Sequence, residues 1–209
     1  MVQPADFLNN VFINCPFDQG YHNMFEAIVF TIHDCGFIAR CAREEDDGGD
    51  VRFSKIVRII EDCKYGIHDI SKADLDAESG LARFNMPLEL GLFLGAQRYA
   101  AKGHYNKEKK ALVLDSEQYR YQIFVSDLAG TDIASHDNSI EILMNKVRDF
   151  LFNNSRRKSI PSGNFIYDRF LTFNAALPDY CLNAHWDRAN LSFIAYTICV
   201  SEWLELNPI

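Results

Sequence analysis

The run VFINCPFDQGYHNMFEAIVFTIHDCGFIARCA, residues 11–42, sets a helical segment between two short β-rich ones. VFINCPF (11–17) is rich in β-branched and aromatic residues and breaks at Cys15-Pro16, where a strand should stop. YHNMFEAIVFTIHDCG (21–36) places Met24, Phe25, Ile28, Val29 and Ile32 at helical spacing, with Gly36 where a helix ends in the left-handed conformation. FIARCA (37–42) is a second strand. A strand, a helix and a strand in succession form a parallel crossover unit.

The same alternation continues outward. REEDDGGD (43–50) is an acidic loop, VRFSKIVRIIEDC (51–63) a helix with Ile56, Ile59, Ile60 and Cys63 on one face, and YGIHDIS (65–71) a third strand. After the polar loop KADLDAESGLAR (72–83), FNMPLELGLFLGAQ (84–97) predicts a helix that is apolar nearly all round and so belongs in the middle of a domain. KKALVLD (109–115) is a fourth strand and SIEILMNKVRDFLF (139–152) another amphipathic helix. The segment at 117–138 holds either a fifth short strand or a structured loop. The order predicts an α/β fold, a doubly wound, mostly parallel sheet with helices on both faces.

From NNSRRKSIPSGN (153–164) onward the texture changes. This polar stretch with Pro and Gly reads as a linker, followed by helical patterns at 165–184 and 186–206. The expected organisation is an α/β domain over 1–153 and a C-terminal helical appendage over 154–209. About 50 residues rarely fold alone, so the appendage is expected to pack on the sheet domain or to make a homodimer contact.

Of the 209 residues, 48% are hydrophobic, including 16 Phe and 9 Tyr, enough for a sizeable core. The net charge of −8 argues against nucleic acid or an anionic membrane as partner. No apolar run reaches the roughly 18 residues of a membrane span, and MVQPADFLNNVFINC lacks the basic and apolar regions of a signal peptide. Six scattered cysteines without metal spacing suggest reduced thiols in the cytoplasm and no metal site.

In an open parallel sheet, ligands bind at the carboxyl ends of the strands. That edge collects Asn14, Phe17, Asp18 and Tyr21 after the first strand, Arg40 and Arg43 after the second, and Asp69 and Ser71 after the third. His68 alternates with Asp69 and should face the other way. Each has a structural alternative: Asn14 and Asp18 could shape a turn, the arginines could be surface charges offset by EEDD, and Asp69 could be a cap. The helix after the third strand adds Phe84, Asn85 and Glu89 to the same edge. If Pro87 is its first residue, Met86 is the N-cap and Glu89 complements the helix dipole at the third position. Met86, however, cannot complete a capping box.

Paired carboxylates with aromatic and hydroxyl neighbours suit cleavage of a glycosidic bond, whose oxocarbenium-like transition state needs a negative charge nearby. NMPLELGLFLGAQRYAAKG (85–103) followed by KKALVLD resembles the nucleoside 2-deoxyribosyltransferase family, in which a catalytic Glu opens a helix as E-L-G-x-A-x-A-x-G-K. The order VFINCPF, helix, strand, helix, HDIS and a Glu-bearing helix also resembles TIR domains, a flavodoxin-like family whose NAD-cleaving members use a Glu on the corresponding helix. The likeness covers about residues 11–150 and is specific at Glu89-Leu90-Gly91. ARFNMP stands where the transferases carry Asp-Gly-Thr and TIR domains Trp-Cys, so the substrate is not carried over.

Both resemblances imply an N-glycosidic bond in a small-molecule nucleotide or nucleoside, with NAD or another nucleotide as substrate and no cofactor. They imply Glu89 as the catalytic carboxylate and Asp69 as its orienting partner or a ribose ligand. Phe17, Tyr21 or Phe84 would stack on the base, and Arg40 or Arg43 would meet a phosphate. A nucleotide-sensing or protein-interaction module of the same fold is the alternative.

Overall fold

The computed structural model describes residues 3–44, 49, 51–73, 75, 80–82 and 84–209. The expected acidic loop and the polar loop after the third strand therefore fall largely outside the described residues. Five strands, β1 (Asn10–Asn14), β2 (Ile38–Cys41), β3 (Tyr65–Asp69), β4 (Lys110–Asp115) and β5 (Ile133–Ser135), form one all-parallel sheet in the order β2-β1-β3-β4-β5. The open question at 117–138 resolves as a three-residue edge strand, β5. This is the flavodoxin-like order, whose crossover point lies between β1 and β3.

Among the described residues α1 (His22–Asp34), α2 (Arg52–Glu61), α3 (Asn85–Tyr99) and α4 (Ile140–Ser155) pack on the sheet, and α5 (Gly163–Asn183) and α6 (Phe193–Leu206) pack against α1. Alternation along β1 decides the two faces. Val11 and Ile13 enter the core shared by α1, α4, α5 and α6, whereas Phe12 enters the one lined by α2 and α3. With helices on both sides, every residue of β1 and β3 is buried, as parallel strands require.

α1 ends as the sequence suggests. Gly36 adopts φ +77, its amide donates to His33 O (2.8 Å), and that of Phe37 donates to Ile32 O (3.0 Å), the paired bonds of a Schellman end.

The enclosed helix is α1 rather than α3. Phe30 touches Phe170 and Phe173 of α5 and Trp203 of α6 by ring contacts, so the C-terminal helices bury the side of α1 that the sheet does not. α3 rests its buried face, Met86, Glu89, Leu90 and Phe93, on the sheet, while Phe84 is 69% and Leu88 54% exposed. Nothing covers its outer side among the described residues, and the expectation of a central α3 is corrected accordingly. No described helix is long and apolar enough to cross a membrane.

Candidate functional site

β1 delivers Asn14 to the crossover point, buried beneath the start of α3. Its Nδ2 donates to Met86 O (2.8 Å) and lies 3.1 Å from His68 Nδ1. Burial, reinforced by the Lys109 charge, lowers the His68 pKa to about 3, so the ring is neutral and its Nδ1 accepts that hydrogen bond. One side chain thus ties β1, β3 and the first turn of α3 together. His68 packs against Phe12 and Phe93, away from Asp69, as strand alternation predicts.

α3 begins one residue after Phe84, with Asn85 first and Pro87 third, and no side chain caps it. The helix lies where the 84–97 run predicts it, and of the starts the sequence allows, the one at Pro87 is not adopted. Glu89 therefore sits in the second turn, where the helix dipole gives little. It is 9% exposed, and no hydrogen bond or ion pair holds it among the described residues. Burial lifts its carboxyl to about 7 against the opposing Arg52 guanidinium, the behaviour of a carboxylate removed from water without a partner.

Glu89 lines a cavity of about 330 Å³. The turn after β1 contributes Asn14, Cys15, Pro16, Phe17 and Asp18; α3 contributes Asn85, Met86 and Glu89; Arg43, Arg52 and Lys72 complete it. Arg43 lies 4.6 Å over the Phe17 ring and donates to Phe17 O (2.9 Å), and Lys72 stands 3.4 Å from Asp18. The cavity combines carboxylates, cations and the Phe17 ring. Cys15 is no nucleophile here, because burial and then the Asp69 charge push its thiol well above the usual range.

Of the residues singled out in the sequence, Asn14, Phe17, Asp18, Arg43, Asn85 and Glu89 meet in this cavity; the other five do not line it. Asp69 is fully buried in a network of its own. It accepts from the Tyr21 hydroxyl (2.5 Å) and the Ser71 amide (2.8 Å), and His136 Nε2 lies 3.0 Å from its Oδ2 without in-line hydrogen-bond geometry. The Asn138 amide donates to His136 Nδ1, which places the proton of a neutral ring on Nε2, toward Asp69. Tyr21 spends its hydroxyl on Asp69 and is nearly buried. Ser71 gives its amide to Asp69 and its carbonyl to Arg120. Arg40 is clamped by Glu44, with contacts of 2.6–3.0 Å, a partly buried pair with the first carboxylate of EEDD. Phe84 points its bulk to solvent.

Arg52, Lys72, Cys15, Pro16 and Met86 line the cavity without having been singled out. Lys72 directly follows Ser71 at a strand end, so the edge rule could have found it. Arg52 reads in sequence only as one more cation on an amphipathic helix. His136 follows β5, a strand too short to register. No group able to hold a metal ion occurs among the described residues. No protein-family model, no curated protein and no solved structure matches the chain.

Proposed function

We propose that the chain cleaves an N-glycosidic bond in a nucleotide such as NAD, or in a nucleoside, with Glu89 as the catalytic carboxylate. The observation that carries this reading is a single buried carboxyl, unpaired among the described residues, in a cavity at the crossover point of a parallel sheet. In the reaction the C1′–N bond breaks and the base leaves with the bonding pair. The ionised Glu89 stabilises the resulting sugar cation or bonds to C1′, and water or an acceptor hydroxyl completes the transfer. Phe17, backed by Arg43, offers a face for the base. Asp69 supports the edge from within, through Tyr21 and Ser71. Six buried cysteines, none bonded to another, accord with the reducing environment of the cytoplasm.

A second reading is a nucleotide sensor. A carboxyl with a pKa of about 7 is half protonated at neutral pH and can donate a hydrogen bond to a ligand without doing chemistry. Incubation with NAD, NADP, nicotinamide mononucleotide and a panel of (deoxy)nucleosides, with released base read by chromatography, separates the two. The expected result is release that falls at least about a hundredfold in Glu89→Gln. Saturable binding with no release from any compound supports the sensor.

A further inference from the structure

We infer that Arg43, Arg52 and Lys72, together with the uncapped start of α3, form a subsite for the phosphate of a ribosyl 5′-phosphate, so that phosphorylated ligands are bound more tightly than free nucleosides. Three cations from three separate segments converge on one cavity. Arg52 has no hydrogen-bonded or ion-paired partner among the described residues. Among the described residues Lys72 has only a 3.4 Å exposed contact with Asp18, a pairing weak enough for an incoming anion to displace. One Arg43 nitrogen is spent on Phe17 O, which fixes the guanidinium in place, and its other donors have no hydrogen-bonded partner among the described residues.

Beside these cations α3 starts without a side-chain cap, presenting the amides of Asn85 and Met86 at its positive end. The second pointer to a ligand is Glu89 itself, 9% exposed, unpartnered among the described residues and lining the same cavity. Depth separates the cations from Glu89, while Asp18 stays partly exposed beside Lys72. Arg43, Arg52 and Lys72 are exposed at the rim, and Glu89 is buried. A ligand filling both must carry an anion at one end and tolerate, or develop, positive charge at the other. A sugar bearing a 5′-phosphate does so when its C1′ becomes cationic. A cavity of about 330 Å³ lies at the small end of ligand sites, so the unit recognised is one sugar phosphate, whatever extends beyond the mouth.

The choice of ribose rests on the N-glycosidic reading; the anion subsite does not. The test is therefore binding, by calorimetry in low salt, of ribose 5-phosphate, ribose and inorganic phosphate to the full chain. Ribose 5-phosphate should bind saturably and at least tenfold tighter than either other probe. Arg52→Ala/Lys72→Ala should weaken it at least tenfold with the melting temperature unchanged, because both side chains are exposed. Glu89→Gln should keep or tighten it, since a negative charge is removed. Equal binding of ribose and ribose 5-phosphate, or an unaffected double variant, overturns the subsite. Inorganic phosphate binding as tightly as the sugar phosphate overturns the sugar assignment. Base release that fails while this pattern holds sinks the reaction and leaves the subsite standing.

Discussion

Glu89 works against the stability of the fold that holds it. Its carboxyl is raised from 4.5 to about 7, so the folded chain holds that proton more tightly than the unfolded one. Below pH 4.5 the group is neutral in both states and costs nothing. Between pH 4.5 and 7 the unfolded chain gives up the proton that the folded one keeps, and stability falls across that window by about 3 kcal/mol, staying level once the buried side chain has ionised. Glu89→Gln removes the charge and keeps the shape. Urea unfolding should show the variant more stable by about 1–3 kcal/mol at pH 8 and equal to the parent near pH 4.5; a gain that does not change with pH would mean that packing, not ionisation, sets the difference. This residue was legible in the sequence because one carboxylate in an apolar helix is conspicuous. Arg52 and Lys72 were not, since exposed cations look alike until the chain is folded around a cavity. Asp69 was legible as a strand-end residue, but periodicity gives only the side of the sheet, and its partners Tyr21 and His136 come from segments distant in sequence.

At the scale of elements, the position of Glu89 depends on how closely α3 approaches β3. Gly66 makes that approach possible: a Cβ there would lie 2.5 Å from His68 Nε2 and 2.9 Å from the Phe93 ring. Both rings are buried and neither can yield freely. Gly66→Ala should cost about 1–3 kcal/mol through overpacking, read as a lower urea midpoint with an unchanged slope; an unchanged midpoint would show that the Phe93 ring moves aside. Lys109 plays a comparable part for α2. It is fully buried and donates to the Ile60 and Cys63 carbonyls at the end of that helix. Burial lowers its pKa to about 8. In sequence it reads simply as the first residue of the β4 run. Strand and helix alternation was legible because parallel strands are continuous apolar runs and surface helices are amphipathic. The identity of the central helix was not, since α1 and α3 are both rich in apolar residues and only the C-terminal helices decide which is enclosed.

At the scale of the whole molecule, α1 joins the sheet to the C-terminal helices, and two buried carboxylates, one in its second turn and one at its last residue, hold them. Asp34 accepts from Arg169 Nε through both oxygens at 3.1 Å, with Nη2 3.0 Å from its Oδ1, and that arginine also donates to Asn207 O (2.9 Å). Glu26, 3% exposed, accepts from Arg188 through both oxygens at 2.8 and 2.7 Å, a bidentate pair. Phe30, Phe170, Phe173 and Trp203 belong to one cluster with Val11 and Ile13 of the sheet, so residues beyond 155 bury α1 and add no core of their own. Removing a cation from a buried pair strands the remaining charge at about 3–5 kcal/mol. For Arg188→Ala the lower end applies, because the Arg188 side chain is 36% exposed. Glu26→Gln/Arg188→Met leaves no stranded charge and should recover most of that loss. The single variant should melt well below the parent and the double variant close to it. Equal losses in both would mean that Arg188 acts through its packing, and the ionic tie between α1 and the C-terminal segment would have to be abandoned.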